Sequence, residues 1–484
     1  MSLAQRSVTS VSWNAGTNLA KIAILLARSI LLARLLPVEV FGVYALATSI
    51  VTFSGILPMW GMGGAFLHRA PETVDEEQAA AVHFTLRLVL LSIWTLALLG
   101  VALLLTSGPL QMALFILTPA FAALHLSDTP RFILTRRVVH KRLAVLDLLT
   151  AIITTIIAVF LAWRGYGLPA LLATDMATAV LAGLALFIWR PVWRPRFLWL
   201  RDTVRYYLHF GSRTMADSAL SEAIDNLDDI WTGAYLGNSA LGLYSRAYTF
   251  ATYPRRILAF PVNLVAGGTY AELKEARHQL SQAFFRTNAL LVRSGFLFGG
   301  LLVLLAPEFV RLALGEKWLP MIPTFRLMTV FTLLDPVRLT VSQIFIAIGQ
   351  PERVVRIRLI QLAALIAGLF LFGRVWDIIG VALVVNGVLL LGLIPLMQAA
   401  REHVDFSAWR LFAGPIAALI AGASAALVIM WLMCRAGSCP NDWITGTAKG
   451  LTFAGVFGSI LLTIERDDII RMIADVRNMG RNQA

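Results

Sequence analysis

Four polar residues punctuate the first apolar stretch of the chain: Asn14, Asn18, Lys21 and Arg28, at spacings of four, three and seven. On a helix these spacings share one face. A charge held at the centre of a membrane helix costs about 2.5–3.5 kcal/mol on insertion scales. Such residues therefore face a cavity or a partner. The chemistry they offer is non-covalent, a cationic wall that receives an anionic head group. Leu25 interrupts the stripe, so it is not purely polar. A charge snorkelling to the inner interface is the competing reading, and Arg28 lies too deep in the run for it to fit well.

A second stretch carries the opposite charge. Asp217, Glu222, Asp225, Asp228 and Asp229 crowd the segment between Arg213 and Thr232, together with Asn226. Asp217, Ser221 and Asp225 share one helical face, and Glu222, Asn226 and Asp229 share another. No lipid-facing helix holds so many charges. The segment lines water, pairs with basic helices, or lies partly at the interface. A cation or proton coupling site is the functional reading, and partnership with cavity arginines is the structural one.

Other constellations are smaller. Asp335 and Arg338 are three apart and fit a structural ion pair. Arg255 and Arg256 lie in the same span as Arg246, which follows an outer loop closely enough to reach the interface. Lys449 is isolated in the last span and reads as peripheral. The chain has two cysteines, Cys434 and Cys439, flanking a turn in an outer loop. A disulfide is permitted there if that side is oxidising. No further ligands stand nearby, so no metal site is expected. There is no Gly-rich loop ending in Gly-Lys, no HExxH and no EF-hand loop, so ATP hydrolysis in cis and a bound cofactor are not expected.

These residues need elements that hold them inside a bilayer. The chain has 484 residues, 58% hydrophobic and 14% charged, against about a quarter charged in soluble proteins. Fourteen apolar runs, at roughly 12–35, 40–66, 81–106, 109–130, 143–163, 167–189, 208–236, 241–266, 284–306, 321–347, 355–375, 378–399, 408–433 and 443–464, are each long enough to cross a core of about 30 Å. They are too continuous for barrel strands. The expected fold is an all-α polytopic membrane protein with about 14 transmembrane helices. The net charge of +13 does not indicate nucleic acid, because the basic residues form short clusters between the runs. Arg131, Arg136, Arg137, Lys141 and Arg142 form one cluster, and Arg190, Arg194, Arg196, Arg201 and Arg205 another. All fall on one side if both termini are cytoplasmic, as the positive-inside rule requires. Met1–Asn14 lacks a compact apolar core, so no cleavable leader is expected.

The chain also repeats. ARLLPVEVFGVYALA at 33–47 aligns with GAYLGNSALGLYSRA at 233–247, matching Gly42 with Gly242, Tyr44 with Tyr244 and Ala47 with Ala247. Arg137-Val-Val-His-Lys-Arg-Leu143 matches Arg353-Val-Val-Arg-Ile-Arg-Leu359 further on. Two six-helix lobes of the same orientation follow, related by an axis along the membrane normal. The expected divisions are an N-lobe at 1–189, a cytoplasmic linker at 190–207, a C-lobe at 208–400, two added helices within 401–464, and a cytoplasmic tail at 465–484.

Several of these stretches resemble the polysaccharide transport (oligosaccharide flippase) family of the multidrug/oligosaccharidyl-lipid/polysaccharide exporter superfamily. They are Leu32–Ala47, Leu241-Gly-Leu-Tyr-Ser-Arg-Ala-Tyr248, Ala347-Ile-Gly-Gln-Pro-Glu-Arg353 and Asn226-Leu-Asp228 before Gly233. The resemblance implies two lobes around a central cavity. It also implies flipping of undecaprenyl-diphosphate-linked repeat units across the bacterial inner membrane, for exopolysaccharide, capsule or O-antigen assembly. Basic cavity residues serve the diphosphate in that superfamily, and Lys21, Arg28, Arg213 and Arg246 match by position. The implied partners are the lipid-linked oligosaccharide, anionic membrane lipids, and a polysaccharide polymerase with its chain-length machinery. A multidrug cation antiporter is the alternative within transport, favoured by acid and disfavoured by the basic first span. A membrane polymerase or acyltransferase is the alternative enzyme, and it normally needs a large outer loop that this chain lacks.

Overall fold

The computed structural model of the chain describes residues 3–68, 75–137, 139–435 and 441–464. Among them every regular element is a helix. Within a bilayer only intrasegment hydrogen bonding satisfies the backbone of such apolar runs, short of closing a barrel. The chain divides into two compact units, Met1–Ser245 and Arg246–Ala484.

The first unit begins with α1 (Leu3–Leu35), α2 (Val38–Ser54), α3 (Ile56–Met59) and α4 (Met62–His68). It continues with α5 (Glu76–Leu105), α6 (Gly108–Leu126), α7 (Asp128–Arg136), α8 (His140–Trp163), α9 (Leu168–Gly183) and α10 (Arg201–Tyr235), and reaches into α11 (Asn238–Ala251). α1 packs along α8, and α2 packs on α6 and α10. One core gathers Val43, Ala47, Trp94, Leu117 and Leu172, and another gathers Phe66, Ala79, Val82 and Tyr207. The opposite faces carry bare leucines: Leu104 of α5 is 82% exposed. In water that face would be a liability, whereas in lipid it is solvated by acyl chains.

The second unit holds α12 (Phe260–Glu272), α13 (Arg277–Phe309), α14 (Ile322–Ala347), α15 (Pro351–Gly368), α16 (Arg374–Ala400), α17 (Ala408–Arg435) and α18 (Asp442–Ile464). Its core sets Phe284, Phe296, Phe345, Phe453 and Phe457 among a larger number of Ala, Val, Leu and Ile side chains. α17 and α18 form a hairpin against α13.

Ten helical segments among the described residues are long and apolar enough to cross a membrane. The expected spans outnumber them for two physical reasons. Pro351–Ala400 is one run of 50 residues, about 75 Å of helix at 1.5 Å per residue, and its backbone leaves helical geometry at Trp376 and Asp377 (φ 55°). That run is long enough for both spans expected there. The others, α1, α10 and the α11–α12 stretch, are helical but too polar or too short to qualify on hydropathy.

One contact in the first unit reflects the repeat. A Cβ on Gly42 would lie 1.8 Å from the carbonyl oxygen of Asn238, and a Cβ on Gly242 would lie 2.2 Å from that of Val38. Ser239 Oγ donates to Glu39 Oε1 at 3.0 Å. Each residue thus meets the neighbourhood of its own repeat mate, 200 positions away. Only glycine permits the two helix starts to approach this closely.

Candidate functional site

The polar face of α1 lies against α8. Lys21 Nζ reaches Asp147 Oδ2 at 3.4 Å, and Arg131 Nη2 reaches the other carboxylate oxygen at 3.1 Å. Two cations thus share one acid, leaving the group with one excess positive charge. One turn pair deeper, Arg28 Nη1 donates to Thr154 Oγ1 at 3.3 Å. Asn18 is half-buried on the same helix. The side chains of Asn14 and Arg213 lie outside the described residues. Arg246 is half-buried and opens the second unit.

The acidic helix α10 holds its carboxylates in different settings. Asp228 is buried and accepts the Tyr244 hydroxyl. Asp229 accepts Ser49 Oγ at 3.1 Å, which joins α10 to α2. Glu222 Oε2 accepts the Asn226 amide at 2.9 Å. Asp217 is half-buried and Asp225 exposed. A neighbouring acid on α9, Asp175, accepts the Tyr44 hydroxyl at 2.9 Å. Both repeat tyrosines, Tyr44 and Tyr244, therefore end on an aspartate.

A third constellation was hidden inside runs that read as plainly apolar. Arg87 of α5 is buried, with 3% of its side chain exposed, and its Nη2 lies 3.1 Å from Asp128 Oδ2 at the start of α7. The same nitrogen donates to Met59 Sδ. His125 Nδ1 lies 2.8 Å from the same oxygen of Asp128. One turn before Arg87, His83 is fully buried and bonded through Nδ1 to Thr129 Oγ1 at 2.9 Å. The cluster borders a cavity of about 390 Å³ within the first unit, walled also by Phe121, Phe132 and Glu222. The cavity sits where the second span breaks. α2 ends at Ser54, and the backbone turns left-handed at Trp60 (φ 42°) and Gly61 (φ 61°) before α4 resumes. The signal in the sequence was the spacing itself: His83 and Arg87 are one turn apart, as are His125 and Asp128. Their apolar surroundings masked it.

In the second unit Asp335 is completely buried between two arginines. Arg338 Nε donates to Oδ1 at 2.8 Å, and Arg255, raised on a π-helical turn at Arg255–Ala259, donates to Oδ2. The sequence spacing gave one partner; the fold supplies the second and leaves a net positive group. Lys449 corrects the sequence reading. It is not peripheral but 7% exposed, and its Nζ lies 2.6 Å from Glu308 Oε1 on α13. Cys439 lies outside the described residues, so the bridge to Cys434 remains an expectation.

With this geometry in view, comparison with known proteins is decisive for the family. Residues 31–323 match the family described as polysaccharide biosynthesis protein. The chain belongs to that family.

Its relatives are distant but long. It is 24% identical over 469 residues to the succinoglycan biosynthesis transport protein ExoT of Rhizobium meliloti, covering 94% of this chain and 92% of that one. It is 22% identical to the lipopolysaccharide biosynthesis protein WzxC of Escherichia coli, covering 79% and 78%. Among solved structures, the fold is similar to the lipid II flippase MurJ in an inward closed conformation (TM-score 0.77, 13% identity, 96% of this chain and 100% of that one). It is also similar to an inward-facing multidrug resistance MATE transporter (TM-score 0.60, 15% identity, 80% and 98%). The protein is therefore a multi-pass helical membrane protein with a transporter fold.

Proposed function

We propose that this protein is a flippase for lipid-linked oligosaccharides, carrying undecaprenyl-diphosphate-linked repeat units across the bacterial inner membrane for exopolysaccharide, capsule or O-antigen assembly. The observation that carries this reading is the likeness to a named polysaccharide transport protein along nearly the whole chain. The geometry is compatible with it. The groups around Asp147 and Asp335 each hold two cations against one acid, and arginine forks suit phosphate oxygens.

No bond is made or broken in this mechanism. The sugar–diphosphate head enters from the cytoplasmic side while the lipid tail stays in the bilayer. The protein alternates between states open to either side, and release outward completes the step. Lys21, Arg28, Arg213 and Arg246 are proposed to hold the head, and the acids of α10 to couple transport to a cation or proton gradient. Both termini are placed in the cytoplasm, and a polymerase with its chain-length machinery would take the product. The lobe boundaries at 189 and 208 belong to the same proposal.

Deletion of the gene tests the reading. Lipid-linked oligosaccharide is expected to accumulate on the cytoplasmic leaflet and to move outward again when the gene is restored. An unchanged leaflet distribution in the deletion strain would sink it.

A further inference from the structure

We propose that residues 189–205, running from the end of the α9 span into the first turns of α10, form a binding site for the headgroups of anionic phospholipids. This strap is not helical until α10 begins at Arg201, yet its path is fixed. Arg142 of α8 donates to the carbonyls of Ala185, Trp189 and Arg190. Trp193 is buried against the Phe84 ring, with centroids 5.6 Å apart. The Leu198 amide donates to Thr85 Oγ1 at 3.1 Å. Held on its inner side in this way, the strap turns Phe197 and Trp199 outward, 74% and 56% exposed. Trp189 at its start is exposed as well. Interleaved with these rings stand Arg190, Arg194, Arg196, Arg201 and Arg205, all exposed.

The length of α5 sets the level of the strap. Its 30 residues make about 45 Å of helix, against a hydrocarbon core of about 30 Å. Its far end is bare at Leu103, Leu104 and Leu105 and belongs among acyl chains. Counted back about 20 residues from Leu105, the core ends near Thr85. The residue that holds the strap therefore marks the edge of the core. Rings exposed at this level meet the headgroup layer, which tryptophan favours. A soluble acidic partner would reach the arginines but not cover these rings. Charge then selects the lipid. Within 189–205 five arginines stand against one acid, Asp202. Glu77 of α5 reaches Arg196 at 3.6 Å with both side chains exposed, and such a pair is weak. Guanidinium forks suit phosphate oxygens. A choline headgroup would bring its own cation against them, and a glycerol headgroup does not.

The site is independent of the flippase reading, and its test measures no transport. The full-length protein, delipidated in neutral detergent, is titrated with phosphatidylglycerol or phosphatidylcholine of the same acyl chains, and bound lipids are counted by native mass spectrometry. Phosphatidylglycerol is expected to bind about tenfold more tightly. R194Q, R196Q and R201Q should each weaken it about fivefold and leave phosphatidylcholine binding unchanged. The corresponding triple lysine variant keeps the charges and should retain most of the binding. R277Q with R353Q removes two exposed arginines already paired with Asp405 and Glu402 and should change nothing. F197S with W199S should weaken both lipids alike. If the glutamine variants fail to fold, a fluorophore on W199C, with Cys434 and Cys439 changed to serine, decides in nanodiscs. It should be quenched more by phosphatidylglycerol spin-labelled at the headgroup than by the phosphatidylcholine analogue. Equal affinity for the two lipids, wild-type binding in all three glutamine variants, an equal loss in R277Q with R353Q, or equal quenching overturns the site. Displacement of phosphatidylglycerol by inorganic phosphate at matched ionic strength also overturns it, leaving a site for free anions.

Discussion

Buried charges in this protein come in groups whose members depend on one another. Lys449 and Glu308 are the sharpest case, a pair with both partners nearly inaccessible and 2.6 Å between them. Desolvating two ions costs several kcal/mol each, and only a close pairing offsets it. Removing one partner strands the other. Lys449→Met should destabilise the protein by about 3–5 kcal/mol, seen as a lower unfolding temperature in detergent. The double variant Lys449→Met with Glu308→Leu should recover most of that loss. A single variant as stable as wild type would show that the pair is not what fastens α18 to α13. Arg311, on the π-helical turn Val310–Leu314 that follows α13, pairs with Asp442 of α18 at 2.8 Å but is more exposed, and should matter much less.

At the scale of elements, the crossing of α2 and α11 decides how tightly the first unit closes at its repeat motifs. The carbonyls of Asn238 and Val38 sit where side chains would otherwise stand. A leucine at position 42 must push the two helix starts apart, whatever its rotamer. In a background with Cys434 and Cys439 changed to serine, Glu39→Cys with Ser239→Cys should be joined by a short bis-maleimide, which replaces the reach of the glutamate that hydrogen-bonds Ser239 at 3.0 Å. Adding Gly42→Leu should cut the cross-linking yield sharply, while Leu46→Ala, one turn further along, should not. Equal yields with and without Gly42→Leu would mean that the contact is not set by the glycines.

For the whole molecule, the proposed flippase has to draw its direction from somewhere, and the sequence shows no Gly-rich loop ending in Gly-Lys. The acids of α10 are the proposed coupling groups. Asp228 is the most deeply placed, buried beneath the Tyr244 hydroxyl. Transfer of lipid-linked oligosaccharide in proteoliposomes should therefore quicken when a proton or sodium gradient is imposed. Asp228→Asn should remove the response to the gradient and keep the slow, ungraded exchange. A variant that still responds would move the coupling role elsewhere.

Membrane insertion and helical class were legible in the sequence, because each depends on composition or period along the chain. Length and hydropathy identify a crossing helix without reference to its neighbours, and the offset of 200 between Gly42 and Gly242 is visible before any contact is known. So was the pairing of Asp335 with Arg338, which is local to one helix. The partners that lie far apart in sequence were not. Asp147 beneath Lys21, Glu308 beneath Lys449 and Arg255 beside Asp335 are separated by 126, 141 and 80 positions. Arg87, Asp128 and His125 do not stand out in the sequence, because one or two charges scarcely lower the hydropathy of a long apolar run. Their meaning arises from burial, and burial is a property of packing. Sequence decides which helices cross the membrane and which charges they carry. Only the tertiary structure decides which charges are buried and which of them neutralise each other.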